Sequence, residues 1–148
     1  MKINGQFVTP VSPASLLALP LRFAALGDGP SSWAAVGSLR EVRRDGAGVF
    51  RAVFTPPQAV VPIPLQVTIT VQRAAADGAL LSVHGRRGPH AVDVALTVDF
   101  SDEPGGTRVS WAADLAIRGP AAGVGQRVAR DLASAAISDV LHQAAAAA

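Results

Sequence analysis

An α+β fold, one curved antiparallel sheet closed around a single long helix, is predicted by three features of this chain. Strand-length segments of period two run from Leu65 to Ile117 and are joined by short turns, which forces antiparallel neighbours. The stretch from Gly119 to about Gln143 reads as an amphipathic helix of about six or seven turns. Each strand has one apolar face and the helix one apolar stripe, and these bury each other if the sheet wraps the helix. With 148 residues, 49% of them apolar, the chain makes one domain, 1–148, large enough for a true core.

The elements follow in order. Lys2–Thr9 alternates Ile3, Gly5 and Phe7 with Lys2, Asn4 and Gln6, as a half-buried strand does. Ser12-Pro13 is a helix start, and two short helical pieces, Ala14–Leu19 and Leu21–Leu26, are split at Pro20. After a Gly, Pro and Ser loop come the strands Trp33–Asp45 and Gly48–Thr55, a hairpin turning at Asp45-Gly46, with Phe50, Ala52 and Phe54 on one face. Pro56–Pro64 links this hairpin to the most regular strand, Leu65–Gln72, whose Leu65, Val67, Ile69 and Val71 oppose Gln66, Thr68, Thr70 and Gln72.

Asp77-Gly78 and Arg87-Gly88-Pro89 bracket Ala79–Gly85. Val92, Val94, Leu96, Val98 and Phe100 then line a sixth strand, Pro104-Gly105-Gly106 turns the chain, and Val109, Trp111, Ala113, Leu115 and Ile117 line a seventh. In the helix, Val124, Val128, Leu132, Ala136 and Val140 form the stripe, widened by Ile137 and Leu141, with Arg127, Asp131, Ser134, Ser138 and His142 opposite. The alanines from Ala144 to Ala148 read as a frayed end. Seven strands, two small helices and a long last helix make a helix-grip fold, an arrangement that leaves room between sheet and helix.

Composition removes several functions. Without cysteine there are no disulfides, thiol nucleophiles or thiolate metal sites, which suits a cytoplasmic protein. Without tyrosine there is no phenolic acid. Net charge is +2, and the pI of 10.4 reflects twelve arginines among thirteen basic residues rather than a basic stripe, so nucleic acid is not the expected partner. No run reaches the ~18 apolar residues of a membrane span. Val11–Leu26 is a poor secretion signal, being broken by Pro13 and Pro20 and carrying Arg22.

Several segments resemble the family of the carbon monoxide dehydrogenase G subunit, part of the START-like, polyketide-cyclase-like ligand-binding superfamily. They are Met1–Phe7, Gly37–Phe54, the Gly-Gly-Thr-Arg hairpin of Gly106–Ala112 with the glycine before it, and Gly123–Ala133. The chain departs from the family at Ala34–Gly37, where Leu-Pro-Gly is common, and at Pro56–Pro64, which replaces a glycine-rich link. The resemblance implies a protein without a cofactor that holds a lipid or isoprenoid quinone. It also implies recruitment of a molybdenum-containing carbon monoxide dehydrogenase to the inner face of the membrane.

The candidate residues are mostly apolar. A ligand cavity between sheet and helix would be lined by Phe7, Leu17, Phe23, Phe50, Phe54, Val67, Ile69, Val94, Leu96, Trp111, Ala113, Val128, Leu132 and Ala136, with the small residues leaving space. Leu16, Leu19 and Arg22, in the short helices at the cavity mouth, are the candidate membrane contacts. Acid–base chemistry is sparse. His90 shares parity with Val92 and Val94 and is the one inward candidate for an alternative, a small cyclase or hydrolase-like enzyme. His84 and His90 flank one turn near Asp93, a conceivable metal set, but Asp93 has the opposite parity to His90 and no metal is expected.

Overall fold

The computed structural model describes residues 1–12, 14–16, 35–36, 39–46, 48–54, 65–75, 77–119 and 126–146. Among them are eight strands, β1 (Lys2–Thr9), β2 (Ala35–Val36), β3 (Leu39–Gly46), β4 (Val49–Phe54), β5 (Leu65–Ala75), β6 (Gly78–Arg87), β7 (His90–Glu103) and β8 (Gly106–Arg118), and the helix α1 (Gln126–Ala146). The strands form one sheet in the order β1-β8-β7-β6-β5-β4-β3-β2, every neighbour antiparallel. α1 touches both β1 and β2, which stand at opposite ends of that order, so the sheet bends around the helix.

Seven long strands match the alternation of the sequence, and the eighth corrects it. Ala35 pairs with Arg40 and Val36 with Leu39, so the chain reverses within the stretch Trp33–Asp45, which does not form one strand. The helix extends further than its sequence suggests. It runs to Ala146 and buries Ala145, which is 4% exposed, where fraying is expected from Ala144 onward. Alanine has the best helix propensity and loses no side-chain entropy, so a packed partner is enough to hold the last turn.

One apolar cluster sits under β1, β8 and β7, where Ile3, Leu96, Val98, Val109, Trp111, Ala113 and Leu115 pack with Leu16 and Ala145. Ala133, Ile137 and Leu141 complete the helix side of it. Ile137 and Leu141 belong to the stripe the sequence predicts, and Ala133 joins them from its edge. Residues four apart drift about 40° round a helix at each step, so a five-member column cannot stay on one contact line. A second, smaller cluster joins Ala52 and Val67 with Phe54, Leu65 and Val83 across β4, β5 and β6.

The Gly-Gly-Thr-Arg hairpin explains itself residue by residue. Gly105 turns with φ of 80°, a conformation that costs other residues strain. Gly106 lies so close to β1 that a Cβ there would overlap the Thr9 carbonyl oxygen. Thr107 is 0% exposed, and its hydroxyl donates to the Val11 carbonyl at 2.7 Å. Arg108 reaches Glu103 at 2.5 Å and donates to the Gln6 side chain at 3.3 Å. The motif therefore fastens β8 to the end of β1 and to the segment that follows it. Thr107→Val, nearly the same shape, is expected to lose about 1–2 kcal/mol in urea denaturation, because the half-buried Val11 carbonyl loses this donor. A midpoint equal to wild type would show that the bond contributes nothing.

Beyond β1, Ser12 caps a helical turn at residues 14–16, its hydroxyl oxygen accepting the Ser15 N–H at 3.2 Å. The turn carries Leu16 inward. The remainder of the two predicted short helices lies outside the described residues.

Candidate functional site

Pairing registers resolve the sheet into rows of side chains on two faces. On the inner face, Phe50, Ile69, Val83, Val94 and Leu115 form one row across β4, β5, β6, β7 and β8. Val67, Gly85, Val92 and Ile117 form the row beside it. At the ends of the first row Phe50 and Leu115 are buried, while Ile69, Val83 and Val94 between them keep accessible surface. Ile69 and Val92 belong to neither apolar cluster of the described residues. Val83 packs against the smaller cluster and Val94 against the larger, so along the middle of this row Ile69 is the half-buried residue outside both.

The predicted lining residues divide accordingly. Phe50, Val67, Leu96, Trp111 and Ala113 are buried parts of the packing. Phe7, Phe54, Ile69, Val94 and Ala136 are half-buried. Phe7 stacks on the His142 ring at 3.8 Å between centroids, and His142 Nδ1–H donates to the Ser138 carbonyl at 2.7 Å. This corrects the placement of His142 on a face pointing away from the sheet. Val128 and Leu132 are on α1, but their side chains, like all of Leu17, Phe23, Leu19 and Arg22, lie outside what is described.

Leu16 is not a membrane contact. It is 4% exposed and packed in the main cluster, because the Ser12 cap turns it toward the sheet. Nor do His84 and His90 approach each other. His84 pairs with Asp93 in register, whereas His90 pairs with Arg87, three residues earlier on β7 than Asp93 and so on the other face. Among the described residues no three His, Asp or Glu side chains gather as a metal set.

What parity on single strands does not show is the outer face. There Thr68, His84, Asp93 and Ala116 form one row, and Thr70, Ser82, Ala95 and Asp114 the next. Together with Val83, Val94 and Leu115 of the strand positions between them, they line an open groove of about 350 Å³. The imidazole is fixed within it: His84 Nδ1–H donates to Asp93 Oδ1 at 2.7 Å, since a carboxylate only accepts. Asp93 Oδ2 lies 3.0 Å from the Arg118 guanidinium. The clue in the sequence is the alternation itself, read across strands rather than along them.

Solved structures share this architecture. A conserved protein from Geobacillus kaustophilus superposes with a TM-score of 0.78 at 17% identity, covering 98% of this chain and 93% of that one. A protein from Chromobacterium violaceum gives 0.63 at 13% identity over 98% and 95%. Ara h 8.0201 gives 0.61 at 10% identity over 99% and 95%. These likenesses establish a START-like, Bet v1-like fold, with the long helix gripped by the sheet. No described helix is long and apolar enough to cross a membrane. No curated protein matches the chain in sequence. The sequence profile of one family, however, matches residues 35–148, well over half of the chain, and by that match the protein belongs to the CoxG family, named for the G subunit of carbon monoxide dehydrogenase.

Proposed function

We propose that this protein is a non-catalytic carrier that holds an apolar ligand, a lipid or an isoprenoid quinone, between the inner face of the sheet and α1. The observation that carries this reading is Ile69 at the middle of the inner row, half-buried and part of neither apolar cluster of the described residues. Protein interiors are close-packed, and an aliphatic side chain on the helix-facing side of the sheet that joins neither cluster is the kind of surface an apolar guest covers. Family membership supports a partnership with carbon monoxide dehydrogenase, for which a bound quinone would be the electron acceptor and the membrane its source.

Titration with a short-chain ubiquinone tests the ligand. Quinones quench indoles, and Trp111 lies in the wall of the packed end beside the proposed site. Saturable quenching is expected, together with protein–quinone ions in native mass spectra. A linear, non-saturating response and apo ions alone would reject the reading.

A further inference from the structure

The outer groove lies on the face of the sheet away from α1. Its floor is low because Ala95 and Ala116 occupy outward positions of the central strands β7 and β8. Three hydroxyls, Thr68, Thr70 and Ser82, and the fixed His84 imidazole face it. Its two ends differ in charge. Next to the His84 row, and just beyond the lining, the outer face continues as Gln66, Arg86, Ala91 and Arg118. These two arginines stand two strands apart, roughly 10 Å, with only the methyl group of Ala91 between them.

Arg118 gives one contact to Asp93 and has further N–H groups to offer. Arg86 is exposed and has no ion pair among the described residues, whereas Arg51, Arg73, Arg108 and Arg118 each have one. At the other end stands Asp114, four residues before Arg118 on β8, its Oδ1 3.4 Å from the N-terminal ammonium of Met1. Asp93, the other carboxylate of the lining, is already occupied by His84 and Arg118.

We propose that this groove binds a small hydroxylated molecule bearing one anionic group, a phosphate or a carboxylate. The anion lies between Arg86 and Arg118, and its hydroxyls run along Thr68, His84, Ser82 and Thr70 toward Asp114. Guanidinium groups bridged over an alanine suit an oxyanion in a way that lysines would not, and Asp114 at the far end, its Oδ1 beside the Met1 ammonium, accepts a hydroxyl. The volume fits a molecule of polyol or sugar size rather than a polymer. The same chemistry occurs free in solution, as in glycerol 3-phosphate, and on a bilayer, as in a phosphatidylglycerol headgroup.

The test is a titration of the full chain with glycerol 3-phosphate, read by amide chemical shifts, beside co-sedimentation with phosphatidylglycerol vesicles. Saturable shifts centred on residues 68, 70, 82, 84, 93 and 118 support a free ligand, and vesicle binding alone supports the headgroup. In either case Arg86→Gln is expected to weaken binding roughly ten-fold or more while melting with wild type. Ala95→Leu, which fills the floor from an exposed position, is expected to do the same. Binding by neither probe overturns the proposal, as does binding unchanged in both variants. Quinone quenching should be unaffected by Arg86→Gln, so failure of this site and failure of the carrier reading are separable.

Discussion

Gly5→Val should cost the fold about 3 kcal/mol or more, although valine is by propensity the better strand residue. Gly5 sits opposite Trp111 in the β1–β8 register, and the indole lies across the place where a side chain would be. A Cβ built on Gly5 would come within 2.7 Å of the six-membered ring and 2.8 Å of Nε1. The ring cannot step aside, being 4% exposed in a cluster with Ile3, Val109 and Ala113. Accommodating valine therefore means expelling the largest side chain of the core or prising β1 from β8. Truncation of a buried tryptophan costs about 3–5 kcal/mol, which bounds the first route.

A double-mutant cycle distinguishes this explanation from a general intolerance of β1. In a Trp111→Ala background the same Gly5→Val change meets no ring and should cost little, or even stabilise. Urea denaturation of the four proteins gives the coupling directly. Equal costs in the two backgrounds would mean that the glycine serves some purpose other than seating the indole.

The glycine also shows what a chain discloses before its folding is known. Alternation groups Ile3, Gly5 and Phe7 on the apolar face of β1 and Val109, Trp111 and Ala113 on that of β8, and the pairing lays both on the same side of the sheet. Period-two patterns survive because a one-residue slip would turn a whole strand inside out, so the burial requirement writes itself into every position. The pairing of Gly5 with Trp111 is not legible, since register is a relation between segments over a hundred residues apart. For the same reason the outer groove escapes the sequence. Thr68, His84, Asp93 and Asp114 look like ordinary solvent-side residues on four separate strands, and only their lateral order assembles a site.

The helix and the short β2 depart from expectation for other reasons. A four-residue repeat identifies an amphipathic helix, and Ile137 and Leu141 pack as its widened stripe predicts, while Ala145 packs where a frayed end is expected. For Trp33–Asp45, apolar and arginine-rich residues of strand character run throughout, so nothing along the stretch announces that Ala35 and Val36 pair back on Arg40 and Leu39. Leu16 reads as a membrane contact because an apolar residue on a short amphipathic segment carries no sign of whether it faces lipid or core. The Ser12 cap, one turn earlier, is the feature that decides it.

Ile69→Trp should weaken quinone binding by at least about ten-fold while changing stability by less than about 1.5 kcal/mol. The two halves of that expectation depend on the same geometry. Ile69 occupies the middle of the inner row, half-buried, between buried Phe50 on β4 and half-buried Val83 on β6. If guest-sized space lies over it, an indole enters that space, competes with the ligand, and disturbs little of the packed ends. If the space is already filled by side chains, the indole has nowhere to go, and overpacking should cost the fold several times more than the ligand assay would register. Thr68→Val is the control one residue away. Its side chain faces the outer groove, so it should leave quinone quenching unchanged. A strongly destabilised Ile69→Trp, or equal losses of binding in the two variants, would argue that the sheet and α1 enclose no ligand site, since only a face-specific cavity makes neighbouring residues on one strand behave so differently.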